Sequence, residues 1–290
     1  GDWTEVADPS FNWSVAGVDF SGGGEGAKTL WVRASDGLNP VSAQSVSFSY
    51  DTSAPALSED AIGTDAQVIQ GSDFSLSGEV DDSNAISTVR IDATKDGVDQ
   101  GEVYNQSPGT LPFSYSYDVT LPGDGSSDDL WIYTIRVTDG GGRELSLDRT
   151  VLIDETAPAA PSLDPFAEAY QVNGLAMSGS AAEPVADEGS GIGLVEYRVN
   201  GTPWSPANGT ASWYKTVDIG ATGLNLSEGA HTLYVRATDR AGNISAEVSQ
   251  LFTVDRANPT LTVDPAYDEP VYRPGEFTIT GELTDTVGLP

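Results

Sequence analysis

Three stretches decide the fold: Leu30-Trp-Val-Arg-Ala-Ser-Asp36, Tyr133-Thr-Ile-Arg-Val-Thr-Asp139 and Leu233-Tyr-Val-Arg-Ala-Thr-Asp239. In each, apolar residues recur at every second position, the period of a strand with one buried face. Leu30, Val32 and Ala34 share a face, as do Tyr133, Ile135 and Val137, and Leu233, Val235 and Ala237, while Trp31, Arg33 and their counterparts point the other way. Each stretch leads through a loop and a second strand to a run from aspartate to proline: Asp51-Thr-Ser-Ala-Pro55, Asp154-Glu-Thr-Ala-Pro158 and Asp255-Arg-Ala-Asn-Pro259. A further series lies earlier in each unit: Phe74-Ser-Leu-Ser-Gly78, Leu175-Ala-Met-Ser-Gly179 and Phe277-Thr-Ile-Thr-Gly281. The three series keep one register with a period of roughly 100 residues, which identifies an internal repeat one antiparallel sandwich long.

No stretch sustains a 3.6-residue period, and Gly, Pro, Asn, Asp and Ser punctuate the chain about every 8–12 residues. The expectation is an all-β chain of antiparallel sheets, each with one buried face. Glu25-Gly-Ala-Lys-Thr-Leu-Trp-Val-Arg aligns with Glu228-Gly-Ala-His-Thr-Leu-Tyr-Val-Arg, so the N-terminal segment matches the later part of a unit. The register therefore divides the chain into the C-terminal part of a truncated domain (residues 1–51), two whole domains (52–154 and 155–255) and the N-terminal part of another (256–290). On this reading the chain is an excerpt of a longer repeat protein.

The run Glu196-Tyr-Arg-Val-Asn-Gly201, then Trp204, then Gly229-Ala-His-Thr-Leu-Tyr-Val-Arg-Ala-Thr-Asp-Arg-Ala-Gly-Asn-Ile-Ser245, then Phe252-Thr-Val-Asp255 resembles bacterial immunoglobulin-like repeats. Those modules are strung in series through large surface proteins and adhesins, and some are appended to secreted carbohydrate-active enzymes. The resemblance implies tandem immunoglobulin-like antiparallel β-sandwiches, located outside the cell or at its surface. It implies a spacer or stalk whose partners are the adjacent repeats and an unidentified host-surface, matrix or glycan ligand. An accessory linker or carbohydrate-binding region of a secreted glycan-degrading enzyme is the alternative. The 52–154 unit departs from the pattern, with Asp139-Gly-Gly-Gly-Arg in place of Asp239-Arg-Ala-Gly-Asn and no tryptophan matching Trp204.

Aromatic and aliphatic content is that of a folded chain. Thirteen lysines and arginines face 44 aspartates and glutamates, a formal charge of −31. Such a surface repels nucleic-acid phosphates and anionic lipid headgroups, and it suits hard cations bound through oxygen or life in a saline medium. With no cysteine, disulfides and thiolate metal sites are excluded. No apolar run of about 18 residues is present to cross a bilayer as a helix. His231 is the only histidine. Its matching positions hold Lys28 and Trp131, which reads as a variable strand-surface position rather than a catalytic base. No catalytic residue is assigned.

Calcium at the domain junctions is the sharpest site expectation. In a sandwich of this topology the incoming linker, the loop after the second strand and the loop joining the last two strands meet at one pole. For the first whole domain they supply Asp51, then Asp81 and Asp82, then Asp139. For the next they supply Asp154 and Glu155, then Glu183, Asp187 and Glu188, then Asp239 and Asn243, and the last partial unit offers Asp255 and Asp285. Calcium takes six to eight oxygens, which two or three carboxylates with carbonyls and water provide. The competing readings make these residues solvated turn formers, or give Asp36, Asp139 and Asp239 a capping role in their own turns. Trp31 and Tyr234, outward on equivalent strands, are the candidates for stacking on a sugar ring.

Overall fold

The structure, a computed structural model, describes residues 14–34, 38, 43–62, 68–166, 170–184, 189–264, 275–276, 278–285 and 287. Among them the regular structure is strand throughout, apart from one 3₁₀ turn at Ser21–Gly23. No helix among them is long and apolar enough to cross a membrane. The chain divides into two compact units, one holding residues 1–68, 73–120 and 130–151, the other 69–72, 121–129 and 152–290.

The first unit opens with a hairpin, β1 (Gly26–Val32) and β2 (Gln44–Tyr50), in which Leu30 pairs with Val46. Its strand alternation is present but shallow: Leu30, Val32, Phe48 and Tyr50 are half-buried, and Phe20 packs on Phe48 and Tyr50. A sandwich follows. Its strands are β3 (Ala56–Glu59), β4 (Val68–Gln70), β5 (Phe74–Asp81), β6 (Ile86–Lys95), β7 (Val98–Gln106), β8 (Phe113–Val119), β9 (Asp129–Asp139) and β10 (Glu144–Ile153). They form two sheets, β3-β5-β8 and β4-β10-β9-β6-β7. Leu76 and Val80 from one sheet and Val89, Ile91, Ile135 and Val137 from the other are fully buried.

A second sandwich, within the second unit, repeats this plan; residues 69–70, 129 and 152–153 of the first sandwich's strands also count to that unit. Its strands are β11 (Tyr170–Gln171), β12 (Gly174–Ser180), β13 (Ile192–Val199), β14 (Ser205–Pro206), β15 (Asn208–Gly209), β16 (Ser212–Asp218), β17 (Gly229–Asp239) and β18 (Val248–Val254). They form the sheets β12-β16-β15 and β11-β18-β17-β13-β14. Leu175, Val195, Trp213, Leu233 and Val235 close their own core. A last hairpin pairs β19 (Thr260–Val263) with β20 (Gly281–Thr284).

The glycine that ends the earlier marker series has a steric cause. Gly78 lies opposite Tyr115, and Gly179 opposite Trp213. A Cβ on Gly78 would sit 2.2 Å from the Ser58 carbonyl oxygen, on Gly179 2.0 Å from that of Ser162, and on Gly281 2.1 Å from that of Thr262. Only a residue without a side chain lets the segment that opens each repeat approach so closely. One residue earlier, the hydroxyls of Ser77, Ser178 and Thr280 donate to Asp60, Asp164 and Asp264 in that same opening segment. The repeat is thus one of contacts as well as of letters.

Candidate metal centres

Three structural positions supply the acidic side chains. Asp82, Glu183 and Asp285 each stand four residues after the close-packed glycine, in the turn that leaves β5, β12 or β20. Asp82 Oδ1 accepts the Asn84 N–H at 2.7 Å, and Asp285 Oδ1 accepts the Val287 N–H at 2.9 Å. Asp139 and Asp239 end β9 and β17, opposite Ile86 and Ile192, where each sheet carries a bulge. Their Oδ1 atoms accept the N–H groups of Arg143 and Asn243, both at 2.8 Å, and so close the turn to the next strand. The linker aspartates shape their own turns. Asp51 Oδ1 accepts from Ser53 N–H at 3.2 Å, and Asp154 Oδ1 from Thr156 N–H at 3.2 Å.

In Asp51, Asp82 and Asp139 capping occupies Oδ1 and leaves Oδ2 buried. Asp51, Asp82 and Asp139 converge so that one carboxylate oxygen of each lies within 4.8 Å of the others, and Asp154, Glu183 and Asp239 do the same. In the first cluster the Oδ2 atoms of all three aspartates are buried without a hydrogen bond. Both Glu183 oxygens are buried without one in the second. Asp154 Oδ2 takes the Ser190 N–H at 2.6 Å. Burial, with the neighbouring Asp154 and Asp239 charges behind it, pushes the Glu183 carboxyl above its ordinary pKa. Carboxylates withdrawn from water need a counter-charge or a proton, and repulsion among three of them adds to the cost. A hard divalent cation fits both donor sets: oxygen ligands only, three negative charges, irregular loop geometry.

The other expected ligands are placed as follows. Asp81 is exposed at the end of β5 and turns its Oδ1 to the Asp82 N–H at 2.9 Å, away from the cluster formed by its neighbour. Glu155 is drawn off to the Gly123 N–H and stands outside the triad. Asn243 lines the second cluster through its amide nitrogen, which donates to Asp239 Oδ2 at 2.9 Å and to the Asp154 carbonyl at 2.8 Å. Asp187 and Glu188 lie outside the described residues. Asp255 keeps a buried, unbonded Oδ1, yet it and Asp285 belong to no three-residue acidic group among the described residues.

Sequence reasoning passed over a second repeated device. An acidic residue just before the long strand of each repeat clasps the linker at the residue after its aspartate. Glu25 accepts the Thr52 N–H at 2.9 Å, Asp128 the Glu155 N–H at 2.6 Å and Glu228 the Arg256 N–H at 3.0 Å. Hydrogen bonding from Thr52 holds the Glu25 carboxyl below its usual pKa. The aligned Glu-Gly-Ala at residues 25–27 and 228–230 was the available signal. Arg256 adds three charge-assisted bonds, to the carbonyls of Val172 at 2.6 Å, Ile219 at 2.7 Å and Leu226 at 2.8 Å. Arg256→Ala orphans all three acceptors. It is expected to lower the stability of the second sandwich by about 2–3 kcal/mol, read as a shift in the urea midpoint with unchanged slope.

The aromatic candidates separate. Trp31 is 56% exposed. Tyr234 is half-buried beneath the Arg198 guanidinium, 4.9 Å from its ring centre. Arg198 and Arg236 also stack on Trp204, at 4.6 and 4.3 Å, so that tryptophan packs against arginines. His231 corrects the surface reading of its position. It is buried, with Nε2 2.9 Å from the Ser227 carbonyl, Nδ1 2.9 Å from Asn200 Nδ2 and its ring against Phe252. The carbonyl partner makes Nε2 the protonated nitrogen, so Nδ1 accepts from Asn200.

No family model matches the chain, and no curated protein matches it in sequence. Among solved structures it is similar to the fibronectin(III)-like modules of Clostridium thermocellum CbhA, at 17% identity and a TM-score of 0.38, over 69% of this chain and 94% of that one. It is similar also to a 1.5-MDa bacterial ice-binding adhesin studied for host cell surface retention, at 20% identity and a TM-score of 0.36, over 73% of this chain and 68% of that one. A third is the D1–D4 ectodomain fragment of ICAM-5, at 16% identity and a TM-score of 0.38, over 83% of this chain and 64% of that one. Each likeness concerns strand architecture, and none assigns this chain an activity.

Proposed function

We propose that this chain is a non-catalytic, extracellular spacer of tandem immunoglobulin-like sandwiches, with calcium held at the Asp51–Asp82–Asp139 and Asp154–Glu183–Asp239 clusters. The observation that carries the reading is a recurrence. Linker aspartate, turn carboxylate and strand-end aspartate meet at the same place in both sandwiches, with buried oxygens left over. Solvated turn residues would point outward and would not converge twice in one register. A divalent cation there offsets two of the three negative charges and ties the linker aspartate to the body of the sandwich that follows it. The remaining surface charge keeps neighbouring molecules apart.

Extracellular modules of this kind bind calcium at roughly 10⁻⁴–10⁻³ M, so calorimetry of the full chain in about 10 mM CaCl2 against chelator is the direct test. A site filled at about 100 times its dissociation constant adds about 2.7 kcal/mol, a shift in melting temperature of about 10–20 °C. Magnesium, which demands a tighter octahedral shell, should stabilise less. Identical melting in calcium and chelator, with no heat of binding on titration, would sink the cation reading.

A further inference from the structure

At the turn closing the first cluster stands Arg143, and at the matching place in the second stands Asn243. Both do the same structural work. Arg143 Nη1 donates to the Asp51 carbonyl at 2.8 Å, and Asn243 Nδ2 donates to the Asp154 carbonyl at 2.8 Å. The same Nη1 lies 3.9 Å from Asp139 Oδ2, on a side chain wholly buried, and Asn243 Nδ2 lies 2.9 Å from Asp239 Oδ2. At this position the two centres differ by one permanent positive charge set at the edge of the first, the second turn carrying its own arginine at the exposed position 240, since a guanidinium does not lose its proton in the physiological range. The convergence of Asp51, Asp82 and Asp139 is not explained by that arginine alone. Their three buried Oδ2 atoms make no hydrogen bond, and 3.9 Å is outside bonding reach.

We propose that the two centres take divalent cation with unequal affinity: Asp154–Glu183–Asp239 fills first, and the Arg143 charge holds Asp51–Asp82–Asp139 in reserve for higher concentrations. The inference rests on the cation reading above and specifies how it is regulated. The guanidinium cancels part of the attraction that the three aspartates offer and repels an ion a few ångströms away. Near a protein surface a unit charge at that range is felt through an effective dielectric of about 20. Arg143 is 41% exposed, so water screens it further, and the gap between the centres is about tenfold in dissociation constant. Over that decade of calcium concentration the second sandwich is loaded and the first is not.

Calorimetric titration of the full chain with CaCl2 tests this. Two binding phases about tenfold apart are expected, the tighter lost in Glu183→Gln and the weaker lost in Asp82→Asn. Arg143→Asn keeps a donor for the Asp51 carbonyl and should tighten the weaker phase until the two merge, whereas Arg143→Lys keeps the charge and the gap. The reciprocal Asn243→Arg should weaken the tighter phase about tenfold, which covers the case in which Arg143→Asn fails to fold. Equal affinities in the wild type, or a weaker phase unmoved by a folded Arg143→Asn, overturn the inference while the cation reading stands. No heat of calcium binding at all overturns both.

Discussion

Glu183→Gln is expected to change the stability of the second sandwich in opposite directions with and without calcium. In chelator at neutral pH the wild type holds a carboxylate whose two oxygens are buried and unbonded beside Asp154 and Asp239. Replacing it with a neutral amide of the same shape relieves that repulsion, and the melting transition rises by about 4–8 °C for each kcal/mol regained. In about 10 mM calcium the same change would remove a ligand from the proposed site, and a contribution of up to about 2.7 kcal/mol should be lost. The pH dependence follows from the raised Glu183 pKa. A carboxyl whose folded pKa lies above its unfolded value of about 4.3 contributes stability that is complete below that value and is lost as pH rises through the folded pKa. In chelator the wild type should therefore lose stability over that range on this account, and the glutamine variant should lose this component of the slope. A variant less stable than wild type in both conditions would show that Glu183 is bonded in a way the cluster geometry does not provide.

Gly179→Ala is expected to unfold the second sandwich at temperatures the first survives. The new methyl would lie 2.0 Å from the Ser162 carbonyl oxygen and 2.9 Å from Cζ2 of Trp213, a fully buried ring. Neither neighbour yields easily. Residue 162 is pinned by its N–H to the Ser180 carbonyl at 2.8 Å, and the indole fills the centre of the core. Overpacking of this kind costs about 3 kcal/mol or more, toward the upper end for single substitutions. The backbone at Gly179 is ordinary, so the penalty is one of space alone. Because Leu76, Val80 and their partners close a separate core, calorimetry should show one transition displaced and one in place. Gly78→Ala, 2.2 Å from the Ser58 carbonyl oxygen, should exchange the roles of the two sandwiches.

The strands were legible because burial on one face leaves a two-residue period in the letters, and Tyr133, Ile135 and Val137 turn inward with Leu233, Val235 and Ala237 as that period requires. The glycine series was legible as a marker but not as a contact, since the carbonyl it accommodates lies 17–20 residues earlier, in the segment that opens the repeat. For the acidic clusters the register located the loops whose carboxylates converge, and within them which residue joins depended on side-chain direction. Asp82 and not Asp81 faces the cluster because the strand ends between them, and the turn re-aims the next residue. Glu155 was indistinguishable from a ligand until the Gly123 amide was seen to claim it. The Arg143 charge was visible as a departure from the Arg-Ala-Gly-Asn turn, yet its meaning required knowing that the turn borders Asp51.

The reach of Arg256 bears on how such proteins are cut for study. Its guanidinium caps three carbonyls of the sandwich that covalently ends at Asp255, while Asp154, at the opposite side, joins the acidic group of the same body. A fragment trimmed at the aspartates would therefore arrive with one pole lacking its plug and the other lacking one member of its acidic group. Expression boundaries drawn from Ile153 to Pro259 keep both, and the overlap means that adjoining repeats cannot each be given a complete set from a single copy of the linker.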